Sequence, residues 1–281
     1  MTTWKIAADS SCDLREGIEP FPGLSFAIVP LKIRVGVEEF TDDENLDLAA
    51  MKRALKSFDG PTSTACPSPE EWAREMEEAD CTVAVTITSA LSGSFNSAAA
   101  ARHMVLEQHP EKKILVLDSK STSGQMALVI RRLRELIAQG LSFEEVAQEI
   151  VEYNHTLRLL YTLSTFDNLV RNGRMNKLVG IMASSLGIRI VAEASRKGTI
   201  EVLCKVRGQS RALDALIKEM KRQKPDLDGK EIVISHCDNP LGVRYLRERL
   251  ASEFPGARVT VLEMGGLTSY YAEDTGIIVG Y

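Results

Sequence analysis

The chain has 281 residues, 44% hydrophobic and 26% charged, with a formal net charge of −5 and a pI near 5.6. That length exceeds the usual single-domain size and the composition is that of an ordinary globular protein, so two domains are expected. The acidic balance argues against nucleic acid as a partner, because "EKK" and "KRQK" are short solvated patches rather than a phosphate-tracking surface.

"WKIAAD" reads as an opening strand, and "FAIVPLKIRV" as one or two more. "TDDEN" (41–45) reads as a solvated loop capping the helix "NLDLAAMKRAL", not as a metal site. In "SPEEWAREMEEA", Ser68, Pro69 and Glu71 form a capping box at a helix start. "CTVAVTIT" is a continuous apolar strand of the kind buried on both faces of a parallel sheet. An alanine-rich helix, the strand "KILVLD" and the helix in "STSGQMALVIRRLRELIAQG" follow, and Ser142 caps a further helix, "SFEEVAQEIVEYNH", read as the bridge to a second domain. "RLLYTLST" then predicts a strand, "FDNLVRNG" a short helix, and "MNKLVGIMASSLG" a helix with Gly187 as its C-cap. "IRIVAEASRKGTIEVLCKV" predicts a hairpin turning at Lys197-Gly198. A helix over 211–222, the strand "EIVISH", the helix "PLGVRYLRERLASEF" and the strands "RVTVLEM" and "TGIIVGY" complete the pattern. The fold class is therefore α/β: a three-layer α/β/α parallel-sheet domain over 1–155, then a mixed-sheet α/β domain over 156–281.

No stretch reaches the roughly 20 apolar residues that span a bilayer, and "MTTWKIAADSS" lacks the basic flank and apolar core of a signal peptide. A cytoplasmic location follows as the expectation. The five scattered cysteines contain no C-x-x-C, so reduced thiols are expected and no metal or cofactor is implied.

Ligands of an open parallel sheet bind beyond the carboxyl ends of its strands. Here those ends are rich in hydroxyls: Ser10 and Ser11 after "AAD", Ser89, Ser92 and Ser94 after "TIT", Ser119 to Ser123 after "VLD". "PTSTACPS", with Thr62 and Thr64, reads as a loop entering a helix. Hydroxyls beside a helix amino terminus suit a carboxylate or phosphate without adding net charge. Capping alone explains one such loop, but Ser92-Gly93-Ser94 supplies more hydroxyls than a cap requires. "RNGRMNK" places Arg171, Arg174 and Lys177 around a glycine turn, suited to salt bridges or to an acidic partner. The four histidines are isolated, and no nucleophile elbow, P-loop or dinucleotide fingerprint is present.

Taken in order, these segments resemble the DegV family of bacterial fatty-acid-binding proteins, the lipid-carrying subunits of fatty acid kinase. "IAADSSCDL" is similar to the family's D-S-x-x-D-L start, "TACPSPEEW" to T-S-Q-P-S-P, "TSALSGSFNSA" to S-S-x-L-S-G-T-x-x-S-A, and "VLDSKSTSG" to V-x-D-S-x-x-x-S-G. "NLVRNGRMNK" and "KVRGQSRAL" resemble L-x-x-G-G-R-I-x-K and K-V-R-G-x-x-x-A-L. The resemblance implies a long-chain fatty acid sealed between two domains, its carboxylate held by Thr64 and Ser92, with Gly93 and Ser94 beside them. The alanines would then leave space for the acyl tail. It also implies a separate fatty acid kinase catalytic subunit, with Arg174 and Arg207 as candidates for the face that meets it. This chain departs from the pattern at its end, where the family's head-group histidine falls on Tyr271. A tyrosine donates a hydrogen bond but carries no positive charge. Glu273 and Asp274 would repel a carboxylate if they faced the site. Two other readings stand beside this one: a binding protein for another small anion, and a hydrolase using Ser92 or Ser94 with an unrecognised base.

Overall fold

The computed structural model describes residues 2–175 and 187–281. Trp4–Asp9 (β1) is buried along its length and runs into one turn of 3₁₀ helix, Ser10–Cys12. "FAIVPLKIRV" divides at Pro30 into Leu24–Val29 (β2) and Lys32–Val35 (β3), which belong to different sheets. Proline has no N–H to give a ladder, so a strand boundary there is natural. Glu38–Thr41 (β4) and Thr62–Ala65 (β5) flank β3 in a small antiparallel sheet, with Leu48–Ser57 (α1) between them in sequence. Pro69–Glu77 (α2) begins at the predicted Ser68 capping box. Cys81–Thr86 (β6), Ser94–Gln108 (α3), Lys113–Asp118 (β7), Ser123–Ala138 (α4) and Phe143–Thr156 (α5) follow, the last with a second capping box at Ser142.

β2-β1-β6-β7 form a parallel sheet covered on both faces. Alternation along β1 divides its side chains between two cores. Ile6 and Ala8 pack with Met126 and Ile130 of α4, while Ala7 packs with Trp72 of α2 and Ala98 and Ala101 of α3. The alanine row therefore has a packing role, letting α3 lie close to the fully buried Trp72. It does not leave room for a tail.

The second half contains Leu159–Leu163 (β8), Asp167–Arg171 (α6), Ile188–Ala194 (β9), Ile200–Arg207 (β10), Gln209–Gln223 (α7), Glu231–His236 (β11), Pro240–Glu253 (α8), Arg258–Glu263 (β12), Gly266–Ala272 (α9) and Ile277–Gly280 (β13). The sheet order is β10-β9-β8-β13-β11-β12, with only β11 and β12 parallel. α7 and α8 bury one face through Leu213, Leu216, Leu246 and Leu250. The other face meets α4, where Val233 of β11 joins the core that holds Met126 and Ile130. α4 is thus shared by both sheets.

The α/β expectation holds, with the parallel sheet first and the mixed sheet after it. Three elements depart from the reading: "EEFT" and "TSTA" are strands, and "GLTSYYA" is a helix. The helix read over "MNKLVGIMASSLG", and Lys177 with it, lies outside the described residues apart from Met175 and Gly187. Among the described residues no helix is long and apolar enough to cross a membrane.

Candidate functional site

A cavity of about 330 Å³ opens between the carboxyl end of the parallel sheet and the face of the mixed sheet turned away from α7 and α8. Its lining combines apolar and hydroxyl-bearing side chains. Leu159, Tyr161 and Leu163 alternate along β8 and, with Ile278 of β13, present an apolar wall. The lining also includes Thr64 of β5, Ser92 and Gly93 ahead of α3, Thr122 ahead of α4 and Tyr271 of α9, among Leu31, Ile87, Leu91 and Leu267.

Thr64 is carried on β5 by its antiparallel pairing with Ile33, and its Oγ1 lies 2.9 Å from the Tyr271 hydroxyl. A linked pair of hydroxyls still has one donor free to point outward. Burial raises the Tyr271 pKa, against the lowering effects of Thr64 and Arg174, so the phenol stays protonated. Gly93 is the N-cap of α3 and makes no side-chain cap, which leaves first-turn N–H groups and the positive end of the helix dipole at this wall. A Cβ at Gly93 would sit 3.2 Å from Cys66 Sγ, so the glycine keeps the approach open.

Ser94 does not join this group. It is fully buried, and its hydroxyl donates to Asp9 Oδ2 at 2.6 Å. Asp9 also accepts from Ile87 N at 2.8 Å and from Ser11, tying the ends of β1 and β6 to the start of α3. Ser94 therefore orients the loop, and the donors left for a ligand are Ser92 and the helix terminus. None of the four histidines lines the cavity, so neither Ser92 nor Ser94 has a histidine base there.

Arg174, the candidate for a partner-facing surface, lines the cavity. Its Nε donates to Leu91 O at 3.1 Å and Nη1 to Asn172 O at 2.6 Å, and it is the only charged residue lining the cavity among the described residues. The sequence signal was "RNGRMNK", but nothing local says which way the arginine turns. Arg207 ends β10, exposed and outside the cavity.

Tyr270 was not singled out by the sequence. Its hydroxyl meets Thr62 Oγ1 at 2.6 Å and accepts from Asn172 Nδ2 at 2.8 Å, joining α9, β5 and the segment that carries Arg174. Glu273 and Asp274 face a second cavity on the far side of α9, where Asp274 pairs with Lys56 at 3.0 Å. Neither lines the candidate cavity.

Burial pushes Asp13, near the start of α9, and Glu273, at its end, each up to about 7. Both groups bind a proton more readily folded than unfolded. Their contribution to stability should therefore fall as pH rises from about 4.5 to about 7. Urea unfolding at pH 5 and pH 7.5 measures this, and a curve that rises with pH would refute it.

A family described as "Uncharacterised protein, DegV family" matches residues 3–279. The chain belongs to the DegV family. A DegV domain-containing protein of Streptococcus pyogenes serotype M1 is 43% identical over 279 residues, 99% of each chain. Solved DegV-type structures superpose closely. The Streptococcus pneumoniae fatty acid kinase (Fak) B3 protein loaded with linoleic acid has a TM-score of 0.96 at 42% identity, covering 99% of both chains. A DegV family protein from Eubacterium eligens loaded with heptadecanoic acid has a TM-score of 0.92 at 37% identity, again over 99% of both.

Proposed function

We propose that this DegV protein binds a long-chain fatty acid in the cavity, with the acyl chain against the apolar wall of β8 and β13. Thr64, Ser92, the N–H groups beyond Gly93, and Tyr271 receive the carboxylate, and residues 1–155 and 156–281 form the two domains that close on it. The observation that carries this reading is that one cavity joins the apolar residues of β8 and β13 to the hydroxyls of Thr64, Ser92 and Tyr271. Burying each methylene is worth about 0.8 kcal/mol, so a long chain supplies on the order of 10 kcal/mol without strong polar contacts. Relatives at 42% and 37% identity hold linoleic and heptadecanoic acid, which supports the ligand class. Arg174 adds one positive charge near the carboxylate. The finer role is that of a non-enzymatic carrier which presents the carboxylate to a separate kinase subunit for acyl-phosphate formation, with Arg207 on the exposed side.

Native mass spectrometry of the purified protein, followed by denaturing extraction, tests the ligand class. A species of fatty-acid mass in near-equal amount to protein is expected. A clean apoprotein that also takes up no added oleic acid would instead favour a small anion.

A further inference from the structure

α9 carries Tyr271 of the head-group wall and, beside it, Tyr270, and its amino end is held in an unusual way. Ordinary helix starts need one hydroxyl or carboxylate to cap them. Here two carboxylates do so, from Asp13 and Asp42, each only 3% exposed and more than 220 positions away in sequence. Gly265 N donates to Asp13 Oδ1 at 2.8 Å, Gly266 N to Asp42 Oδ1 at 2.6 Å and Leu267 N to Asp42 Oδ2 at 2.9 Å. The Thr268 hydroxyl also donates to Asp13, whose second oxygen accepts from Ser123 Oγ of α4 at 2.6 Å. Three successive amides and one hydroxyl of the 265–268 segment are thus bonded to acids of the parallel-sheet half. Burying two like charges close together is costly unless their lone pairs are filled, and a cap needed only for stability would not require both. At its other end α9 sets Tyr271 against Thr64 and Tyr270 against Thr62. A helix of seven residues is about 10 Å long and moves as one body.

We infer that Asp13 and Asp42 are positioning residues for head-group recognition: they seat α9 so that Tyr271 and Thr64 share one hydrogen bond and direct the remaining donor at the ligand's carboxylate. This rests on the head-group reading above. The glycines fit the role, since a Cβ at Gly266 would lie 2.6 Å from Leu46 Cδ2 and 2.8 Å from Asp42 Oδ1, forcing the helix off its seat.

The test compares oleic acid with methyl oleate, which shares its chain but lacks the charged head, at pH 8. Wild type should prefer the acid at least tenfold. Asp42→Asn should cut that preference about fivefold or more while changing ester affinity less than twofold, and Gly266→Ala, which keeps both carboxylates, should do the same. In a Tyr271→Phe background Asp42→Asn should add no further loss of preference. A merely structural role predicts that acid and ester affinities fall together, or that the losses add. Either result, or an intact preference in folded Asp42→Asn or Gly266→Ala protein, overturns the positioning role alone. Wild type that treats acid and ester alike overturns the head-group reading, and the positioning role with it.

Discussion

Gly280→Val should cost about 3 kcal/mol of stability or more, and should weaken ligand uptake with it. A Cβ at Gly280 would stand 2.3 Å from Gln125 N and 2.4 Å from Gly124 C, and one at Gly124 would stand 2.8 Å from Val233 O. β13 and the first turn of α4 therefore meet backbone to backbone. Overpacking against movable side chains typically costs about 1–3 kcal/mol. Here the obstacle is the main chain of a helix whose residues Ser123 to Ile130 are all buried, so little can yield. Any relief must push α4 away from the mixed sheet, and α4 carries Thr122 at the cavity and Ser123 on Asp13. Urea melts of the two proteins decide the point. A Gly280→Val protein within about 1 kcal/mol of wild type would mean that the two sheets are not locked through this contact.

The sequence made the layered core legible because its signals are local. "CTVAVT" is buried throughout since both faces of β6 are covered, and the capping boxes at Ser68 and Ser142 lie where the helices begin. The Lys197-Gly198 turn joins β9 to β10 as expected. The misreadings were non-local. "TSTA" has no apolar alternation and becomes a strand because β3 pairs with it. "GLTSYYA" lacks a cap of its own, since its caps are Asp13 and Asp42. For the same reason Asp42 is buried, although "TDDEN" reads as a solvated loop. Of the candidate site, Thr64, Ser92, Gly93 and Tyr271 line one cavity, whereas Ser94 is taken by Asp9 and Arg174 turns inward. A buried acid in "AADSS" or "SCDL" was a signal in plain view, because an aspartate inside apolar sequence must find donors.

The double variant Thr64→Ala with Ser92→Ala should lose fatty-acid binding by about 100-fold or more while remaining folded. A hydrogen bond to a charged group contributes about 1.5–3 kcal/mol, so two lost donors amount to at least two powers of ten in affinity. The fold is spared because neither hydroxyl supports it. Thr64 Oγ1 bonds only Tyr271, and Ser92 Oγ accepts only a 3.3 Å contact from Ser94 N, at a helix start that Asp9 already anchors through Ser94. Isothermal titration with oleic acid, run beside a thermal melt, reads both halves of this expectation. Affinity equal to wild type in the folded double variant would remove the hydroxyls from the carboxylate site. Arg174, the only cation lining the cavity among the described residues, would then be the group around which the head-group assignment has to be redrawn.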